Sequence, residues 1–100
     1  MIEGSYIDWD GHSKSENIVI NEVKDFEKSI GIVLDFVEKH PNTLLIVTAD
    51  HETGGIGLGK KMVKDPATGK MKEIPNQVHL DFNHDQHTAT PVPVFAKDPK

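Results

Sequence analysis

A long amphipathic pattern over residues 16–39 constrains this chain more than any other feature. Its apolar side chains recur at spacings of three and four, which places them on one face of a helix. Ser13 or Ser15 is the candidate N-cap, and Pro41 ends the helix because proline disfavours helical geometry in the residue before it. Gly31 weakens the helix interior, which predicts close approach of a neighbouring element. The apolar stripe consists of Val23, Phe26, Ile30, Val33, Leu34 and Val37.

An unbroken apolar run with β-branched residues follows over residues 43–48. Such a run is typical of a strand that is covered on both faces. Residues 1–7 are also strand-like, so strand, helix and strand are predicted to form one βαβ unit with a right-handed crossover. The predicted fold class is α/β. One such unit cannot cover both faces of its own sheet, and further strands and helices must come from elsewhere.

The second half of the chain favours hairpins and loops. Residues 64–70 form a turn between two polar-edged segments, which predicts a β-hairpin. Apolar and polar residues alternate over 77–82, as in a half-buried strand. A final short strand is predicted over 92–95, confined by Pro91 and Pro93 to a sheet edge or an irregular position.

Composition excludes several kinds of partner and site. The chain has 11 Lys, no Arg and 16 acidic residues, for a formal charge of -5. Nucleic acid is excluded as the main partner, because phosphate backbones are bound by clustered positive charge. Without Cys there is neither a disulfide framework nor a thiolate zinc site. No apolar run approaches the roughly 20 residues that a membrane-spanning helix needs, so no membrane partner is expected.

Potential metal ligands concentrate in three places. Carboxylates and imidazoles without sulfur form the ligand set of a zinc or similar divalent site in hydrolases. The ligand crevice of an open α/β sheet lies beyond the carboxyl ends of its strands, where two of the groups fall. Each group also has a plain structural explanation as a cap, a strand end or a solvated loop, and His40 and His79 are interpreted as structural or exposed. The groups are Glu3, Asp8 and His12, then Asp50 and His51, then His84 and His87.

Three segments resemble the metal-binding segments of alkaline phosphatases. Residues 1–12 resemble the first, and residues 47–55, with their Thr-Ala-Asp-His core, resemble the second. Residues 87–96 are similar to the third, in which a His precedes a strand. The resemblance covers nearly the whole chain but only the C-terminal part of the family's domain. It implies a single partial domain of a three-layer α/β sandwich, with the βαβ core in residues 1–55 and the hairpin and metal-ligand loop in residues 56–100.

The resemblance also implies an activity and its cofactors. The family hydrolyses phosphate monoesters through a phosphoserine intermediate, with two zinc ions and one magnesium ion. It further implies a homodimer and a periplasmic or extracellular location. The implied ligands are Asp8, His12 and His87 for one zinc, Asp50 and His51 for the second, and Glu3 near the magnesium.

Other parts of the family's site have no counterpart here. The nucleophilic Ser, an Asp that bridges the second zinc and the magnesium, a magnesium-binding hydroxyl residue and the phosphate-binding Arg lie upstream in the family. We therefore expect the chain to be the C-terminal third or quarter of an alkaline phosphatase, inactive by itself. Two alternatives stay open. One is another metal hydrolase of the same superfamily, such as a phosphodiesterase or phosphomutase, and the other is a non-catalytic zinc-binding module.

Overall fold

The computed structural model describes residues 1–98, which form two helices and six short or medium strands. The strands pair in three separate antiparallel two-stranded sheets, β1 with β6, β2 with β5 and β3 with β4. In chain order the elements are α1 (Ser5–His12), α2 (Glu16–Lys39), β1 (Leu45–Thr48), β2 (Glu52–Thr53), β3 (Ile56–Lys64), β4 (Met71–Phe82), β5 (His87–Thr88) and β6 (Val94–Lys97).

Helix α2 confirms the helix predicted from the apolar stripe. Ser15 is the N-cap of α2, although its side chain makes no capping hydrogen bond. The Ser15 carbonyl accepts the hydrogen bond from the Val19 amide at 2.9 Å. Val37 of the predicted stripe is buried and so is Val19, which is not part of that stripe, whereas Val23 of the stripe is 48% exposed. The close approach predicted at Gly31 is wrong within the described residues, because a Cβ there would meet nothing within 4 Å.

The N-terminal segment differs from the prediction. Residues 1–4 have no regular structure and helix α1 follows, so the predicted first strand of the βαβ unit does not form here. Ile7 and Gly11 are four residues apart and therefore share a helix face. That face is inward, since Gly11 is buried and Ile7 is half-buried. The strand predicted over residues 43–48 is confirmed as β1, and the mixed helix and strand content confirms the α/β class.

Strands β3 and β4 form the predicted hairpin. Ile56 pairs with Phe82 at its base and Lys64 pairs with Met71 beside the turn, with an irregularity in the register near Lys60. The hairpin contributes Leu80 to the buried core, where its side chain is 7% exposed.

The Glu16 carboxylate joins the hairpin to the first turn of α2. It accepts hydrogen bonds from the Leu80 amide at 2.9 Å and from Lys61 Nζ at 3.1 Å, and His79 Nδ1 lies 3.4 Å away. The Leu80 amide, followed by Lys61, holds the pKa of Glu16 below its ordinary value. This contact fixes the start of α2, and with it the end of α1, against the hairpin.

Neither α1 nor α2, the helices of the described residues, combines the length and apolar composition needed to cross a membrane.

Candidate metal centre

Three chain segments meet where α1, β2 and β5 come together. Asp8 and His12 lie one helical turn apart on α1, so their side chains share a face. His51 directly precedes β2, and His87 is the first residue of β5. In the β2–β5 pair Thr53 lies opposite His87, which brings the second and third segments together.

The ligand atoms of this cluster are close. Asp8 Oδ1 lies 3.3 Å from His12 Nε2 and 3.2 Å from His87 Nε2, and the two Nε2 atoms are 3.2 Å apart. The His51 ring stacks on the His87 ring with centroids 3.5 Å apart. Asp8, His51 and His87 each offer a ligand atom, and these atoms lie within 4.8 Å of one another.

Hydrogen bonds behind the cluster set which atoms face it. His12 Nδ1 lies 2.6 Å from the Asp85 carbonyl oxygen. A carbonyl only accepts, so Nδ1 carries the proton and the neutral imidazole presents an Nε2 lone pair to Asp8 and His87. Lone pairs of a carboxylate and an imidazole thus converge, an arrangement that favours a shared cation or proton between them.

Thr53 connects two of the ligand groups. Its hydroxyl donates to Asp8 Oδ1, and its oxygen lies 3.2 Å from His51 Nδ1. Since the Thr53 proton is used on Asp8, the oxygen accepts from His51 Nδ1–H, which leaves the His51 Nε2 lone pair free. This Nε2 is 3.4 Å from Asp50 Oδ2.

The Asp8 carboxyl is held in its anionic form. The Thr53 hydrogen bond is the main cause that lowers the pKa of Asp8, and partial burial opposes it; the imidazoles of His12, His87 and His51 lower this pKa further only when they are protonated. An anionic carboxylate is the form that binds a metal.

Two glycines allow the segments to approach one another. A Cβ on Gly11 would lie 3.1 Å from Thr53 Cγ2, so a larger residue would push α1 away from β2. Gly54 has a φ of +91° in the turn after β2, a conformation that L side chains rarely adopt.

The structure groups four of the six predicted ligands. Asp50 borders the group through the 3.4 Å distance to His51 Nε2, and Glu3 lies apart from it. Both line a cavity of about 640 Å³ between the N-terminal segment, α2 and β1. The Asp50 side chain is 89% exposed, although it is adjacent to His51. The other three imidazoles lie outside the cluster: His84 accepts from the Gln86 amide, His40 contacts the Phe36 carbonyl oxygen, and His79 lies beside Glu16.

Supporting residues of the site were not identified from the sequence. Thr53 and Glu52 follow the Asp50–His51 pair directly, and Thr88 follows His87. Glu52 accepts a hydrogen bond from the Thr88 hydroxyl. Partial burial would raise the pKa of Glu52, but the hydrogen bonds from Thr88 and from two backbone amides outweigh it and lower the pKa. In the sequence, these three polar residues are distinguished only by their positions next to proposed ligands.

A family model described as alkaline phosphatase matches residues 1–74. The chain belongs to the alkaline phosphatase family. Alkaline phosphatase 3 of Bacillus subtilis (strain 168) is 44% identical over 59 residues, which cover 59% of this chain and 13% of that protein. Streptomycin-6-phosphate phosphatase of Streptomyces griseus is 32% identical over 108 residues, covering 99% of this chain and 24% of that protein.

Solved alkaline phosphatases also have a similar structure. The alkaline phosphatase from the Antarctic bacterium TAB5 matches with a TM-score of 0.79 and 42% identity, over 97% of this chain and 27% of that chain. A variant of the TAB5 enzyme with Mg bound in its M3 site matches with a TM-score of 0.82 and 43% identity. The chain therefore spans between 13% and 28% of the length of the relatives named above. The alkaline phosphatase resemblance and the α/β fold expected from the sequence are confirmed.

Proposed function

We propose that this chain is the C-terminal metal-ligand part of an alkaline phosphatase that hydrolyses phosphate monoesters through a phosphoserine intermediate. The convergence of Asp8, His12 and His87 carries the proposal. Their facing atoms lie 3.2–3.3 Å apart. Asp8 Oδ1 accepts a hydrogen bond from Thr53, and His12 is hydrogen-bonded through Nδ1, so that its Nε2 faces inward.

The donor set fits the metals that the family implies. One carboxylate and two imidazoles without sulfur match a catalytic zinc site with three protein ligands. We assign Asp8, His12 and His87 to this ion. Asp50 and His51 hold a second zinc, an assignment supported by the 3.4 Å distance between His51 Nε2 and Asp50 Oδ2.

We assign Glu3 to a magnesium site. Magnesium prefers oxygen ligands and is usually bound by one or two carboxylates together with water. Glu3 and Asp50 line the same cavity, which supports a position for this ion on the Asp50 side of the zinc pair.

Bound divalent ions would stabilise the attacking and leaving oxygens of an in-line phosphoryl displacement. The residues of this chain prepare the site for that chemistry. Asp8 is anionic near neutral pH, and the Thr53 hydrogen bond lowers its pKa further and orients the carboxylate. The Asp85 carbonyl fixes the tautomer and ring direction of His12, so Nε2 presents its lone pair without rearrangement.

Substrate binding and nucleophilic attack belong to residues outside this chain in our proposal. The chain has no Arg to bind a phosphate with two parallel hydrogen bonds. None of its serines has the sequence context of the family's nucleophile, so we expect the 100-residue chain to be inactive alone. Residues 1–100 then serve as one partial domain, and the intact enzyme is proposed to be an exported homodimer.

The names of the relatives favour a monoesterase over a phosphodiesterase or phosphomutase. The matched proteins include alkaline phosphatases and a streptomycin-6-phosphate phosphatase. We therefore propose phosphate monoesters as the substrate class.

Turnover of p-nitrophenyl phosphate by the full-length protein tests the proposal. We expect hydrolysis that EDTA abolishes and that zinc with magnesium restores. Asp8→Ala should reduce turnover by orders of magnitude, whereas Asp35→Ala, an exposed carboxylate on α2, should not. Zinc binding by the full-length protein without any turnover would instead indicate a non-catalytic zinc module. Robust, EDTA-sensitive activity of residues 1–100 alone would contradict the proposed inactivity of the isolated chain.

A further inference from the structure

The strand that carries His87 has little backbone support of its own. Strand β5 pairs with β2 through only two residue pairs, Glu52 with Thr88 and Thr53 with His87. Backbone hydrogen bonds from the Gly54 amide to the Gln86 carbonyl, at 3.1 Å, and from the His84 amide to the Gly54 carbonyl, at 3.0 Å, attach the loop before β5 but not β5 itself. Such a short pairing fixes strand position weakly, because an isolated two-stranded ribbon is marginally stable even at greater length.

The Glu52 carboxylate adds the missing connections. Its Oε1 accepts a hydrogen bond from the Ile56 amide at 3.1 Å, and its Oε2 accepts one from the Gly55 amide at 3.2 Å. Oε2 also accepts the hydroxyl proton of Thr88. One half-buried side chain therefore joins the turn after β2 to strand β5.

These contacts act next to two imidazoles. Glu52 follows His51, and Thr88 follows His87, so a shift of Thr88 relative to Glu52 also shifts the two rings relative to each other. The rings stack with centroids 3.5 Å apart. A carboxylate is well suited to this task, because hydrogen bonds to a charged acceptor are about twice as strong as neutral ones.

We propose that Glu52 is a positioning residue for the metal ligands, holding His87 against His51 through the Thr88 hydroxyl. The inference rests on the proposed function, since it assumes that His87 binds a metal. Glu52 itself faces the turn amides and Thr88, and in this proposal it acts through His87 without binding the ion. Outer partners of metal ligands typically change metal affinity by 10–100-fold when they are removed.

The zinc affinity of the full-length holoenzyme, measured by competition with a chromogenic chelator, tests the inference. Thr88→Val removes only the hydroxyl and should weaken zinc binding about tenfold, whereas Thr88→Ser retains the hydroxyl and should bind zinc as the wild type does. Glu52→Gln keeps the size of the side chain, removes the charge and should also weaken binding. Glu38→Gln is the matched control, because Glu38 is an exposed α2 residue that pairs with Lys97.

A purely structural role predicts another result. The thermal midpoint of the metal-free protein would then fall in Thr88→Val while zinc affinity stayed within twofold of the wild type, and this would overturn the inference. If Thr88→Val does not fold, the zinc affinity and the metal-free thermal midpoint of Glu52→Gln are compared with those of the wild type in the same way. Excess zinc should restore kcat in the Glu52 variant, since the reacting groups are intact. A kcat that stays low at saturating zinc would count against a positioning role.

Asp8→Ala separates this inference from the proposed function. Zinc affinity that falls in Asp8→Ala but not in Thr88→Val or Glu52→Gln would overturn the role of Glu52 alone. Zinc affinity that is unchanged in Asp8→Ala would overturn the metal centre, and the inference with it.

Discussion

Replacing Thr53 by valine removes one hydroxyl from the centre of the candidate site with almost no change in volume. In the wild type that hydroxyl donates to Asp8 Oδ1 and its oxygen faces His51 Nδ1. The change should therefore raise the pKa of Asp8 toward its ordinary value and free the carboxylate to rotate. The loss of a fixed orientation weakens metal binding, because a metal binds best to ligands that are already held in place.

The structure allows an estimate of the effect. A hydrogen bond to a charged group contributes about 1.5–3 kcal/mol. The Asp8 side chain is 35% exposed, so solvent screening reduces this to about 1 kcal/mol, or about fivefold in zinc affinity. Chelator competition measures the change, with Thr68→Val as the matched control because the Thr68 hydroxyl contacts only the Lys70 amide in the hairpin turn. An unchanged zinc affinity in Thr53→Val would refute the reasoning.

Three further predictions concern stability and the approach of the segments. Glu16 has a pKa below its ordinary value of 4.5, so its stabilising contribution is complete above about pH 4.5 and is lost as the pH falls through the folded-state pKa. The urea unfolding midpoint of Glu16→Gln should thus be lower than that of the wild type at pH 7, and it should fall less as the pH drops below 4.5. If the midpoints of the two proteins changed with pH in parallel, this prediction would be wrong. Leu80→Ala should lower the free energy of unfolding by about 2–3 kcal/mol, measured by urea titration, and a loss below about 0.5 kcal/mol would show that Leu80 is not a core residue. Gly11→Ala should weaken zinc binding several-fold by moving α1 from β2, whereas Gly31→Ala should leave zinc affinity unchanged and raise helix stability by up to about 1 kcal/mol; equal zinc affinities would contradict the close approach at Gly11.

The elements predicted correctly are those with a strong local pattern. Helix α2 has six apolar residues at helical spacing, and β1 lies in a largely apolar run that contains β-branched residues, so each is specified by its own residues. The hairpin has a turn with Pro66 and Gly69 between its strands. Helix α1 lacks such a pattern, since its largest apolar side chains, Tyr6 and Trp9, are exposed and do not mark its inward face. Its inward face is recognisable only from its contacts with α2 and β2.

Four candidate ligands could be named from the sequence, but the residues that hydrogen-bond to them could not. Asp8, His12, His51 and His87 stood out by residue type and position, and the structure brings these four together. Thr53 and Asp8 are 45 positions apart, and Glu52 and Thr88 are 36 apart. A single sequence contains no signal for such hydrogen bonds, because they depend on how segments distant in the chain pack together.

Zinc-edge anomalous diffraction from crystals of the full-length protein grown with zinc shows whether Asp8, His12 and His87 bind one zinc ion. The account predicts an anomalous peak about 2.0–2.2 Å from the Asp8 carboxylate and from an imidazole nitrogen of both His12 and His87. Zinc found only at other imidazoles, such as His40 or His79, with the Asp8 carboxylate outside ligand distance, would contradict it.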